Sequence, residues 1–381
     1  MAFFGSGHEI ADAKAPPAVA RSEAPGREHH AMSQVLPGIC CWCVCLGWCA
    51  VAPVRAAETA LARFESTQTQ MGVPFKIVLY AAGPSAANEA FAAAFARIGE
   101  LNRVLSDYDP QSELSRLSQA SPTPQGIKVS DDLWQVLEPA QALAARTDGA
   151  FDITVGPYVR LWRRTRRQKE LPPPERFAEA RAAVGYRHVE LDPQARRVRL
   201  LAANMRLDLG GIAMGYAVDE TLRLLAERGI TRAMVDASGD IGVNEPPPGK
   251  AAWTIGVVPL SPAGTPSREI QLAHAAVTTS GDAFQFVEIA GRRYSHIIDP
   301  HTGLGLTDRS GVTVIARDCI TADSLATAVS VLGPQAGLAL IEQTPGAAAF
   351  IVRASAKDAI ETQQTANFSK YVVGHGNESV R

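Results

Sequence analysis

Asp208-Leu209-Gly210-Gly211-Ile212-Ala213-Met214-Gly215-Tyr216-Ala217-Val218-Asp219 is the stretch on which the fold turns. Two adjacent glycines close one segment, and a helical pattern spanning 212–227 opens immediately after them. Glycine lets backbone come close to a ligand, and a helix N-terminus favours an anion such as a pyrophosphate. The same residues also make a plain strand-to-helix turn. From this stretch alone the two readings stand even.

Working outward, residues 75–80 read as a strand. Ser85 is placed to cap a helix ending near Leu105, with Phe91, Phe95, Ile98 and Leu101 on one stripe. Ser130 with Asp131 and Asp132 starts a second helix, which Gly149 ends. Residues 187–191 and 198–201 form a hairpin, and 233–236 a strand. Strands follow at 253–258 and within 284–298, the latter turning at Ala290-Gly291. A strand at 312–316 leads to a helix at 321–332, and 347–352 is extended. Helices and strands alternate without a steady βαβ rhythm, so the pattern predicts one α+β domain of mixed or antiparallel sheets and packed helices. Its expected limits are 57–360, after a disordered N-terminus and export signal at 1–56 and before a loosely held polar tail at 361–381.

Composition narrows the class. The 381 residues are 46% hydrophobic and 20% charged, with a formal net charge of -2, as in an ordinary globular enzyme. Nucleic-acid binding is disfavoured, because basic residues are spread out rather than clustered. The one run, Arg160, Arg163, Arg164, Arg166 and Arg167, reads as a solvated helix or loop face. Five of six cysteines fall between Cys40 and Cys49. They lie inside an uncharged apolar run, 35–54, with no nearby His and no second CxxC to complete a zinc set. The run suits the hydrophobic region of a secretion signal, with Val54-Arg55-Ala56 as a cleavage site and Met32 as a candidate start. A periplasmic product with the single thiol Cys319 is the expectation.

No GxGxxG, GxxxxGK, HExxH or GxSxG signature is present. Instead, polar residues gather in five segments at the ends of apolar runs, where side chains converge on ligands. The first is 106–110 with Ser112 and Glu113, whose Tyr108 could stack on a flat ring or simply close a turn. The second, 148–157, has Asp152, Thr154 and Gly156 beyond the Gly149 that a helix stop needs. The third is the Gly-Gly stretch above. The fourth pairs 278–282 with 294–300, where Ser295, His296 and Asp299 stand too close along one strand to form a hydrolase triad by default. In the fifth, 321–327, Asp323 and Thr327 are one helical turn apart and face the same side. Oxygen ligands on one face suit magnesium, but taken alone an Asp at the first helix turn and a Thr bonded back to its own helix explain the pair better.

Taken together and in this order, the segments resemble the FAD:protein FMN transferase (ApbE) family. The resemblance runs from Met71-Gly72 to the strand at 347–352, through AFD-x-TVGP, DLGGIA-x-GYAVD, TSGD, YSHIIDP-x-TG and ADSLAT. It implies an exported α+β enzyme that binds FAD in a cleft, uses Mg2+, and moves FMN onto a Ser or Thr of a target flavoprotein, with release of AMP. The implied targets are subunits of membrane redox complexes. Carried over by position, Met71, Tyr108, Ala150, Phe151, Asp152, Asp208 and Ile298 contact FAD. Asp323, Thr327 and the Gly211 carbonyl hold the metal, and His296 and Asp299 are candidates for proton handling. Two departures stand out: Met214 replaces a common lysine beside the flavin site, and Ser238-Gly239-Asp240 replaces Gly-Gly-Asp, which could narrow the cleft. An Mg-dependent FAD pyrophosphatase and a non-catalytic FAD-binding protein are the competing readings.

Overall fold

The computed structural model describes residues 61–257, 268–281, 285–354 and 360–373. The segment expected to be an export signal, with its cysteine-rich run, and Asp282 lie outside them. In chain order the described elements begin with β1 (Ala62–Gln70), β2 (Val73–Ala81), α1 (Pro84–Leu105), α2 (Glu113–Gln119), β3 (Ile127–Lys128) and α3 (Asp131–Arg146). Next come α4 (Gly156–Gln168), α5 (Pro174–Arg181), β4 (Val189–Asp192), β5 (Arg197–Leu200) and α6 (Ala213–Glu227). Then follow β6 (Ala233–Ala237), β7 (Asp240–Val243), β8 (Trp253–Val257), β9 (Arg268–Leu272) and β10 (Ala275–Gly281). The chain continues through β11 (Phe286–Ile289), β12 (Arg292–Ser295), β13 (Ser310–Ala316), α7 (Cys319–Glu342), β14 (Ala348–Ala354) and β15 (Ile360–Gln364).

Eight strands form the main sheet in the order β1-β2-β6-β7-β10-β13-β14-β15, so its strands lie side by side in chain order. Every neighbouring pair is antiparallel. The predicted α+β class is therefore observed, with antiparallel sheets throughout the described residues. Two tight turns set the register at one end. Met71 and Gly72 both have positive φ (49° and 82°), as do Ser238 and Gly239 (58° and 107°), the backbone that two-residue hairpins with a right-handed twist require. Ser238 is exposed in its turn, away from the cleft described below, so it does not narrow the cleft.

Both faces of the sheet are covered, and the two-residue period of the strands sorts side chains between them. Ile77, Leu79, Val312, Val314 and Ile351 join the core shared with α1, α6 and α7. Their neighbours Val78, Ile315, Phe350 and Val352 point the other way, into a core closed by Trp253 and Ile255 of β8 and Ile270 and Leu272 of β9. A third, smaller cluster joins Tyr158 and Trp162 of α4 to Val287, Tyr294 and Ile298.

Three boundaries differ from expectation. Gly83 rather than Ser85 precedes α1; Ser85 sits in the first turn and donates to Glu89 at 3.0 Å. The helix expected to end at Leu332 breaks there at Gly333 (φ 74°, ψ 177°) and Pro334, then resumes to Glu342. The C-terminal stretch from residue 361 is not loose as far as residue 373. β15 pairs with β14, Phe368 is wholly buried with its ring 5.4 Å from that of Phe350, and the Val373 amide donates to the Glu269 carbonyl. One aromatic anchor and edge pairing hold a polar segment that has no apolar period of its own.

Candidate active site

The site is organised by the crossing of α6 and α7. A Cβ at Gly215 would fall 2.4 Å from the Cys319 carbonyl oxygen, so glycine alone allows this approach. Each helix start is met by a carboxylate from the other helix. Asp219 of α6 accepts from the Cys319 and Ile320 amides, both at 2.8 Å, and Asp323 of α7 accepts from the Gly215 amide at 3.2 Å. These bonds satisfy amides that a helix N-terminus leaves without intrahelical partners. Burial pushes the Asp219 carboxyl up to about 7. Burial first, and neighbouring Asp240 second, push Asp323 well above the usual carboxylate range. Among the described residues no Arg or Lys pairs with Asp323.

One turn along α7, Thr327 meets Gly211. A Cβ at Gly211 would lie 2.8 Å from the Thr327 hydroxyl oxygen, so the second glycine of the Gly-Gly pair is also a close approach. Gly211 and Thr327 thus meet, and Asp323 lies one turn back along α7, bonded to the Gly215 amide. They offer a carboxylate, a hydroxyl and a backbone carbonyl, hard oxygen donors that fit Mg2+, an ion that keeps several of its waters. A buried carboxyl without a cationic neighbour fits the same ion. No group of three or more His, Cys, Asp or Glu suited to a metal occurs among the described residues, so softer metals lack a ligand set here.

Gly211 and Thr327 form one wall of a cleft, with Gly210 and Asp208 beside them. The rest of the lining is Tyr108, the segment from Ala150 to Ile153, Val159, Arg163, Arg166 and the segment from His296 to Ile298. Six predicted flavin contacts therefore meet: Tyr108, Ala150, Phe151, Asp152, Asp208 and Ile298. The turn after α3 delivers the middle three, since Asp148 and Gly149 both take positive φ (47° and 84°). Asp152 then folds on itself, accepting from the Thr154 amide and hydroxyl at 2.8 and 2.7 Å. Burial raises its pKa. Asp208 accepts from the Gly210 amide at 2.8 Å, which fixes the Gly-Gly turn.

Arg163 ties the far wall together. Its guanidinium pairs with Asp107, lies 3.5 Å from an Asp208 oxygen, and stacks 3.8 Å above the Tyr108 ring centre. Burial and the charge of Asp208 push the Asp107 carboxyl up to about 7. Arg166 lines the same cleft with no ion pair among the described residues, and burial lowers its pKa. The expectation that the arginine run is only a solvated face is thus corrected. Val159, Arg163 and Arg166, at helical spacing, put two cations on the cleft. That spacing was the signal available in the sequence, hidden by the arginines on the helix's other sides.

His296 reaches the cleft with its Nδ1 3.2 Å from the Gln285 carbonyl. A ring nitrogen facing a carbonyl carries the proton, so Nε2 holds the lone pair. Burial pushes the imidazole down to about 3. Asp299 is not brought to the cleft wall. Its oxygens accept from the His301 amide at 2.9 Å and the Thr302 hydroxyl at 2.9 Å, organising its own loop. Met71 and Met214 also lie outside the main cleft, lining an adjoining small depression with Leu105 and Asp107; Gly210 is common to both. Thr278 of the fourth segment is buried, its hydroxyl oxygen 3.9 Å from the Cys319 sulfur. Cys319, expected as a lone thiol, is free and buried, with its pKa pushed up by burial.

The sequence matches the ApbE family over residues 71–351, and the chain belongs to that family. It is 33% identical over 261 residues to the FAD:protein FMN transferase of Haemophilus influenzae, covering 67% of this chain and 75% of that protein. It is 32% identical over 308 residues to the FAD:protein FMN transferase of Treponema pallidum, covering 76% and 84%. The flavin transferase ApbE of Vibrio cholerae superposes with a TM-score of 0.74 at 28% identity, covering 82% of this chain and all of that one (100%). The apo flavinyl transferase ApbE of Pseudomonas stutzeri gives 0.72 at 30% identity, covering 82% and 97%.

Proposed function

We propose that this chain transfers FMN from FAD to a Ser or Thr hydroxyl of an acceptor flavoprotein, releasing AMP. The observation that carries the reading is the convergence of the predicted flavin contacts, His296 and the Gly211–Thr327 pair on one cleft, in a member of a family whose relatives bear that name. Mg2+ held by Asp323, Thr327 and the Gly211 carbonyl would neutralise charge on the pyrophosphate as it splits.

The chain's own residues supply the rest. Tyr108, 39% exposed, offers a ring face to the flat flavin, with Arg163 fixing the ring's angle. Arg166, without a counter-ion in the cleft, attracts the phosphates electrostatically. The acceptor oxygen bonds to the flavin-side phosphorus, the bond to the AMP phosphate breaks, and the hydroxyl proton must leave. Nε2 of His296 is the base that the cleft presents for it. Its low pKa belongs to the cleft without ligand, and the negative charges of FAD raise it toward neutrality.

We also place the mature chain outside the cytoplasmic membrane, in the periplasm, with a membrane redox subunit as acceptor. The support is the signal-like run at 35–54 followed by Val54-Arg55-Ala56. Determining the N-terminus of the chain produced in cells tests this: a start at Ala57 is expected, and an intact leader on all of the protein contradicts it. The transfer itself is tested by mixing protein, FAD and Mg2+ with an acceptor domain and weighing the domain. An added FMN mass, lost with EDTA, is expected. AMP and FMN free in solution with no adduct would replace the transferase with a pyrophosphatase; FAD held without turnover would make the chain a binding protein.

A further inference from the structure

α4 carries arginines on two faces. Arg163 and Arg166 look into the cleft, whereas Arg160 and Arg164, one turn apart, line a separate groove of about 920 Å³. Arg206 joins that groove because Gly156 opens α4. A Cβ at Gly156 would stand 2.4 Å from the Arg206 carbonyl oxygen and 2.8 Å from its Cβ, so the Arg206 backbone passes directly over the first turn. Arg160 is one turn further along the same face. Neither Arg160 nor Arg206 has an ion pair or a side-chain hydrogen bond among the described residues. Burial and then the like charge of Arg160 hold Arg206 below its usual pKa. Two adjacent cations without a counter-ion repel unless an anion joins them. The groove has two carboxylates of its own, and one of them, Glu179, is taken by Arg176 at 2.9 Å. A smaller depression containing Arg160, Arg206, Arg163 and Tyr108 makes the surface continuous from the groove to the cleft.

We propose that this groove docks the acceptor protein, holding an extended, carboxylate-bearing segment against Arg160 and Arg206 while its hydroxyl reaches the cleft. The proposal rests on the transferase reading. Charge complementarity selects an acidic partner, and continuity with the cleft selects the molecule that must enter it. The groove lining lacks aromatic side chains on which nucleic-acid bases would stack, and its concavity does not match a flat lipid surface.

The test compares wild type with Arg160→Gln/Arg206→Gln in steady-state transfer to a purified acceptor domain with a single acceptor Thr. The expected result is an acceptor KM raised ~10-fold, with kcat at saturation and FAD affinity unchanged and a weaker dependence of KM on salt. In parallel, fluorescence anisotropy with an eight-residue peptide carrying three Asp, set against its Asn counterpart, should show a preference for Asp in wild type that the double variant loses. An unchanged acceptor KM with no Asp preference overturns the groove while leaving the transferase intact. A matching loss of FAD affinity overturns it by assigning the arginines to the flavin's own phosphates. Arginine-dependent binding to phosphatidylglycerol vesicles with none to the peptide overturns it in favour of a lipid surface. A wild type that transfers nothing to the domain fails the transferase reading itself, which separates the two failures.

Discussion

The two sides of the cleft are built on opposite principles. At the α6–α7 crossing, Gly211 and Gly215 allow the closest approaches, and half-buried Asp219 and buried Asp323 cap each other's helix. Nothing there is free to rearrange without unmaking the fold. Elsewhere in the lining, α4 and the Tyr108 loop present long side chains, Arg163 and Arg166, on a helix whose Tyr158 and Trp162 sit in the third, smaller core. The first side is rigid and dry, suited to fixing a metal and a reacting phosphorus. The second is charged and adaptable, suited to binding. Substitutions at the crossing should therefore strike turnover or stability, those on α4 and the Tyr108 loop should strike affinity, and His296, the base in the same lining, should strike turnover.

The largest effect expected is from Asp323→Asn. The amide oxygen still accepts from Gly215, so the fold survives, but the charge that would hold a metal is gone. Transfer should fall by ~1000-fold or more at saturating FAD, with thermal unfolding shifted by only a few degrees. Wild-type turnover in this variant at limiting Mg2+ would sink the metal assignment and, with it, the contrast between the two walls. Next is Gly215→Ala. A methyl group placed against the Cys319 carbonyl should cost ~3 kcal/mol in denaturant unfolding, and a loss below about 1 kcal/mol would mean the crossing is softer than its geometry implies.

The crossing should also reveal itself through pH. The folded-state value of Asp219, about 7, lies above that of an unfolded aspartate. The stabilisation from its extra proton is fully present below about pH 4 and is lost as pH rises through about 7. Asp219 alone should cost metal-free protein ~2 kcal/mol of stability between pH 5 and 8, so Asp219→Asn should make the slope shallower by that amount. A wild-type stability that climbs through this window would mean that the carboxylate stays ionised in the folded state.

These contrasts bear on what the sequence could disclose. Gly210-Gly211 as a turn and Asp323 and Thr327 on one helix face were legible because their information is local. That the two helices cross there, closest at Gly215, was not, because it depends on residues about a hundred positions apart. Ser130 as a cap and Ala290-Gly291 as a turn were legible as local features too, and the structure shows both. Arg166 was not, because an arginine's role depends on which helix face meets a neighbour, and the packing of α4 is set by residues far away in sequence such as Tyr294 and Gly303. β15 and Phe368 were hidden likewise: an edge strand exposed along its length has no apolar alternation, and its order comes from pairing with β14. Asp299 misled in the other direction. It stands in a motif with His296, yet its oxygens bond within its own loop, to the His301 amide and the Thr302 hydroxyl.

The smallest effect sharpens the comparison most, because it separates binding from chemistry on one side chain. Arg166→Gln keeps length and polarity and removes only the charge facing the cleft. If the α4 wall binds and the crossing reacts, the KM for FAD should rise ~10-fold, as expected for losing one charge-assisted contact to a phosphate, while kcat changes by less than about twofold. A second readout follows from the neighbouring imidazole. Arg166 helps to hold the His296 pKa down, so removing its charge should move the acidic limb of the pH–rate profile upward. A fall in kcat with unchanged KM would place Arg166 at the departing phosphate instead, and α4 would then share in the chemistry assigned to the crossing and His296.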